Sequence, residues 1–305
     1  MSSTRKDAMR RTLRLAVAQS TVPEDPTDPG NLKTSAEQIR NLMRQASSAG
    51  ARLVQFPEGA ITYPGKHVMS SGPSGTLAEA DWTRIDWNVM RAQAQSIADL
   101  AGELGLWVVF GSVHPLTPPH RPHNSVYVVS DEGALVGRYD KRYLSHTELS
   151  YLYTPGTDPL VFEVDGIRFG TALCIEANFP ELFHQYEQLD VDCMLISVMV
   201  DDAARAALAP AYATLYNYWV GYSVPAQFAN TAPATITAPG GRQLAHCPTE
   251  NRPGLAIADI DPDTQDPDIY IALRHARPWR RTAQAGLYDN HTVADDLRSK
   301  VRTRF

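Results

Sequence analysis

Three residues at the ends of apolar runs have the side chains needed for nucleophilic attack on an electrophilic carbon. Cys174 closes Gly170-Thr171-Ala172-Leu173 and is followed by Ile175-Glu176-Ala177-Asn178. Glu58 follows Val54-Gln55-Phe56-Pro57, and Lys141 follows Arg138-Tyr139-Asp140. A thiol can attack, a carboxylate can carry a proton, and an ammonium can hold the negative charge that develops between them. Each residue alone has a plainer reading: a small buried hydrophobe, a solvated acid at a strand end, one cation in a charged surface patch. Cys193 and Cys247 lack polar company and keep the plain reading. Pro57 and Gly59 give Glu58 a stiff approach and a permissive exit, which suits a carboxylate that must be aimed. Glu148, seven residues past Lys141, is placed to hold the lysine.

Short β-branched and aromatic runs alternate with helix-like segments, an α/β pattern without an internal repeat. Strands are expected at 13–19, 53–56, 106–113, 126–130, 167–174, 194–200, 226–230, 235–238 and 255–260. A helix over 35–48 is signalled by the Thr34/Glu37 capping-box pair and by Ile39, Leu42, Met43 and Ala46 on one face. A second is expected over 87–104, and a short one over 179–188 with Pro180 at its start. Cys174 then lies on a strand-to-helix turn, where backbone N–H groups can face the sulfur. Residues 203–222 read as helix interrupted at Pro210, and Tyr212, Tyr216, Tyr218, Trp219 and Tyr222 read as core or interface packing, with a pocket wall as the alternative.

The chain has 305 residues, 43% hydrophobic and 20% charged, enough for one large core. A net charge of −6 gives no electrostatic reason to expect nucleic acid or an anionic membrane as partner. The polar first residues precede no signal-like apolar stretch, and no run reaches the roughly 18 apolar residues of a membrane span. A soluble, cytoplasmic protein is expected. Three dispersed cysteines suggest reduced thiols rather than a disulfide framework or zinc site, so no metal or cofactor is expected. The expected organisation is a flexible N-terminus at 1–11, a domain at 12–262, and an extended tail at 263–305. Trp279 and Tyr288 suggest that the tail docks on the domain or on a partner subunit.

Taken together, the three blocks resemble the nitrilase (carbon-nitrogen hydrolase) superfamily. The resemblance is carried by Phe56-Pro57-Glu58, by Lys141 with Leu144, and by Cys174 with Phe179-Pro180-Glu181-Leu182. It continues at Tyr153-Thr154-Pro155-Gly156, at Ala238-Pro239-Gly240-Gly241 and at Arg280-Arg281 before Leu287-Tyr288, so it spans about residues 12–290. The chain departs from the common pattern at Arg142-Tyr143 and at Ile175-Glu176. The resemblance implies a four-layer α-β-β-α sandwich, a homodimer or higher homo-oligomer, and a Glu58, Lys141, Cys174 triad with Glu148 as second glutamate.

The implied chemistry is hydrolysis of a small amide or N-carbamoyl compound. Glu58 takes the thiol proton, Cys174 attacks, and Lys141 with the Ile175 backbone N–H holds the oxyanion. The neighbouring ammonium is expected to lower the Cys174 pKa. Conversion of a nitrile to an acid, acyl transfer to an amine, and a non-catalytic binding or assembly role on the same fold are the alternatives. Asp201 and Asp202, after an apolar strand, could receive a cationic substrate group, or could be a solvated helix start with acids suited to the dipole.

Overall fold

The computed structural model describes residues 12–293 and 295–303. The expected flexible segment 1–11 lies outside them. Twelve strands occur among these residues: β1 (Leu13–Gln19), β2 (Leu53–Gln55), β3 (Trp107–His114), β4 (His123–Val129), β5 (Leu135–Asp140), β6 (Val161–Val164), β7 (Ile167–Leu173), β8 (Cys193–Ser197), β9 (Trp219–Ser223), β10 (Thr235–Thr237), β11 (Gln243–His246) and β12 (Gly254–Ile260). They form two six-stranded sheets, ordered β12-β1-β2-β3-β4-β5 and β11-β10-β9-β8-β7-β6. β1, β2 and β3 run parallel, as do β7, β8 and β9, while the outer strands pair antiparallel.

Side-chain alternation explains the layering. In the first sheet Leu15, Val17, Leu53 and Val109 join a core with Phe169, Leu195 and Val220 of the second. Their neighbours Ala16, Ala18, Val54, Val108 and Phe110 pack instead with Leu32, Ile39, Met43, Ile97 and Ala101 of the helices Pro29–Ser48 and Trp87–Leu104. Leu182, Phe183, Tyr212 and Ala213, from Pro180–Gln188 and Leu208–Tyr216, are buried on the second sheet. The result is the α-β-β-α sandwich.

Polar stitches cross between the sheets. Gln55 donates to Ile196 O at 3.0 Å and to Ser197 Oγ at 3.1 Å, and Ser197 Oγ donates to Phe56 O at 2.8 Å. Gly221 permits this approach, since a Cβ there would lie 2.4 Å from Gln55 Oε1.

Several elements differ from expectation. The first helix starts at Pro29, six residues early, because Asp28 caps it by accepting from Gly30 N, and Pro29 suits a first turn. Residues 226–230 form no strand: Ala226–Phe228 is a 3-10 turn after Pro225. The segment 203–222 is not one interrupted helix. Asn217, at φ 53°, closes Leu208–Tyr216, and Trp219–Ser223 becomes a central strand.

The C-terminal segment is helical rather than extended, with turns at Pro267–Ile271 and Arg277–Thr282. It docks on the domain through residues other than Trp279 and Tyr288, which are 58% and 52% exposed in the single chain. Buried Ile269, Ala272 and Arg277 make the contact, with Arg277 donating to Val191 O at 2.8 Å, Asp190 Oδ1 at 3.1 Å and Asp192 Oδ1 at 3.3 Å.

Candidate active site

Strand ends from both sheets bring the expected residues together. Glu58 follows β2, Lys141 follows β5, and Cys174 follows β7. Gly111 on β3 lets the Pro57-Glu58-Gly59 turn lie flat against the sheet, because a Cβ there would meet Gly59 N at 2.3 Å and Pro57 O at 2.7 Å.

Glu58, Lys141 and Glu148 form one buried cluster. Lys141 Nζ donates to Glu58 Oε1 and to Glu148 Oε1, both at 2.8 Å. An ammonium has three donors, so one remains for another acceptor. Glu148 is fixed in turn by the Ser145 backbone N–H, which donates to its Oε2 at 2.8 Å. Asn124, on β4, donates to Glu58 Oε1 at 2.9 Å. Glu58 Oε2 is therefore the open position: it is buried and has no hydrogen-bond partner.

The electrostatics separate the two carboxylates. Burial raises the Glu58 pKa, and Lys141 only partly offsets it. Burial also acts on Glu148, but Lys141 and the Ser145 donors outweigh it and hold that pKa below the usual value. A pair pushed apart in this way has one proton carrier and one permanent anion. Burial works against the Lys141 charge, yet Glu58 and Glu148 overcome it and keep the ammonium charged far above its ordinary range.

Cys174 is partly exposed and has φ +47°, a left-handed conformation that costs a non-glycine residue about 1–2 kcal/mol. The turn places the thiol within electrostatic reach of Glu58, Lys141 and Glu148. Ile175 is the second residue of the 3-10 turn Cys174–Asn178, where backbone N–H groups lack partners within the turn. The expected depression of the thiol pKa does not occur. Burial and Glu58 push it up to about 12, against the opposing pull of Lys141 and the Met199 amide. The resting group is a thiol that needs a base, and not a preformed thiolate.

Glu176 was missed as a site residue, although it is the acid that breaks the common pattern after the cysteine. Completely buried, it accepts on Oε1 from Tyr139 Oη and Arg142 N, both at 2.7 Å, and from Tyr143 N at 3.1 Å. Its Oε2 accepts from Leu173 N at 2.7 Å. One carboxylate thus ties the residue before the thiol to the chain on both sides of the ammonium. Glu176→Gln turns one end of the group into a donor facing an N–H. A loss of about 2 kcal/mol is expected, read as a lower denaturant midpoint together with a lower kcat.

Lys141→Met is expected to cost about 3–5 kcal/mol, because it leaves two carboxylates buried without their cation. Both folded-state pKa values would then lie above the unfolded ones. The variant is therefore most stable below about pH 4.5 and loses stability as pH rises through the raised values, which denaturation at several pH values measures.

Asp202 and Asp201 lie outside this cluster. Asp202 Oδ1 caps the turn Ala203–Ala206 by accepting from Ala204 N at 2.9 Å and Arg205 N at 3.4 Å, and Asp201 is exposed. Tyr63 is a further residue that sequence reading missed, with its phenol within electrostatic reach of Glu58, Glu148 and Lys141. Among the described residues, no group of three or more His, Cys, Asp or Glu is arranged to hold a metal ion, and no helix is long and apolar enough to cross a membrane.

The family model described as Carbon-nitrogen hydrolase matches residues 14–269. An omega-amidase from Bos taurus is 24% identical over 271 residues, an alignment covering 82% of this chain and 89% of the relative. A glutamine-dependent NAD(+) synthetase from Acinetobacter baylyi is 26% identical over 171 residues; that alignment covers 55% of this chain and only 28% of the synthetase. Among solved structures, an amidase from Nesterenkonia sp. superposes with TM-score 0.68 at 19% identity, covering 88% of this chain and 95% of that one. A variant of the same amidase carries the acetamide moiety of fluoroacetamide on its active-site cysteine.

Proposed function

Because the chain belongs to the carbon-nitrogen hydrolase family, we propose that it hydrolyses a small amide or N-carbamoyl compound through a thioester on Cys174. The observation that carries this reading is Glu58 Oε2, a buried carboxylate oxygen without a partner, electrostatically coupled to a thiol that is protonated at rest. The omega-amidase likeness and the covalently modified, nucleophilic active-site cysteine of the Nesterenkonia amidase support it.

Glu58 Oε2 accepts the thiol proton as Cys174 Sγ bonds to the carbonyl carbon. The carbonyl oxygen takes the electron pair and is held by the remaining Lys141 donor and the Ile175 N–H. When the tetrahedral centre collapses, the carbon–nitrogen bond breaks and Glu58 returns its proton to the leaving nitrogen. Water then enters and gives a proton to Glu58 as its oxygen attacks the thioester. Collapse expels the sulfur, which recovers the proton from Glu58, and the acid departs. Glu148 stays ionised throughout and holds Lys141 in place.

A panel of aliphatic amides, N-carbamoyl amines, ω-amido acids and nitriles, assayed for ammonia release, tests the reading. Release from an amide or carbamoyl member is the expected result. Turnover confined to nitriles would make the enzyme a nitrilase.

A further inference from the structure

We propose that the substrate carries a carboxylate in addition to its scissile amide, and that Arg205 receives it. This rests on the amide-hydrolysing reading and names its substrate class. The segment after β8 passes near the thiol, since the Met199 backbone amide is close enough to draw the Cys174 pKa down. Six residues later Arg205 Nη1 donates to Asn178 Oδ1 at 3.1 Å, and Asn178 ends the turn that begins at Cys174.

Arg205 is held near the site in an incompletely neutralised state. Its side chain is only 13% exposed, yet the nearest oxygen of Asp202 lies 3.7 Å from Nη2, beyond hydrogen-bond reach. The other oxygen of that carboxylate serves the turn, and Arg205 Nε is buried with no acceptor. A guanidinium carries five donors in a fork that matches a carboxylate, and burying them unmade is costly.

The phenol of Tyr222 is within electrostatic reach of Cys174, Arg205 and Asp202. Burial keeps it neutral, and Oη is buried without a partner. Thiol, phenol donor and guanidinium together suit a short chain with an amide at one end and an anionic oxygen group at the other. A cationic group is the opposite choice, but it would have to share Asp202 with the helix turn and with Arg205.

The test compares kcat/KM for glutaramic acid, for the neutral amide valeramide, and for an ω-amino amide of similar length. Preference for the acid-bearing amide by tenfold or more is expected. Arg205→Gln should reduce the acid-to-neutral ratio about 10- to 100-fold, and Arg205→Lys should restore part of it. A ratio near one, preference for the cationic amide, or an unchanged ratio in Arg205→Gln overturns the proposal while leaving the amidase reading intact. Calorimetric titration of Cys174→Ala protein with glutarate, with and without Arg205→Gln, separates the two claims. Arg205-dependent binding without turnover of any amide upholds the carboxylate site and sinks the amidase reading, whereas absence of both binding and turnover overturns the inference as well.

Discussion

Cys174→Ala protein is expected to fold as the parent does and to release ammonia at least about 10⁴-fold more slowly. The fold should survive because the substitution removes a single heavy atom, the sulfur, and leaves the backbone turn as it is. Alanine also has a Cβ, so it neither relieves nor worsens the strain of φ +47°. Activity should vanish because no other thiol can substitute: Cys193 and Cys247 are buried, and burial raises the pKa of both. Circular dichroism and a thermal melt check the first half, and ammonia release checks the second. A variant that folds and keeps even a tenth of the parent rate would show that sulfur is not the attacking atom.

Glu58→Gln is expected to reduce kcat/KM by about 10²- to 10⁴-fold, the range for loss of a positioned proton carrier. Glutamine can still accept from Lys141 and Asn124 on one atom, so the cluster should hold together. What it cannot do is take a proton at the position of Oε2. With a resting thiol pKa of about 12, that loss falls directly on attack, since essentially no thiolate is available at neutral pH. The pH profile adds an independent signature. Burial raises the Glu58 pKa, so the parent's activity should fall with decreasing pH through a value above 4.5 as the base becomes protonated. The residual activity of Glu58→Gln should lack that limb. Persistence of the same limb would assign it to another group.

The fold class and the placement of Glu58, Lys141 and Cys174 were legible because each of these residues ends an apolar run. Such a break is visible without knowing what lies opposite, while Glu148 was legible only from its spacing after Lys141. Asn124 was not legible, since a single polar residue inside β4 gives no sign that it faces two carboxylates. Glu176 was visible only as a departure from a pattern; three of its four donors are backbone N–H groups, which any sequence would supply. The direction of the Cys174 pKa was misjudged for a related reason. A neighbouring lysine can be inferred along the chain, but the depth of burial that outweighs it arises only when the two sheets close over the turn. The strand Trp219–Ser223 was read as helix because its aromatic residues suit either element, although Asn217 offered a stop signal. In the C-terminal segment the large aromatics drew attention, while the docking is done by Arg277, whose burial depends on acids from residues 190–192.

The most direct test is a time course of alkylation by iodoacetamide, with peptide masses reporting each cysteine and ammonia release measured on the same samples. Activity should decline in step with modification of Cys174 while Cys193 and Cys247 remain free. Ammonia release that continues after Cys174 is fully alkylated would contradict the account.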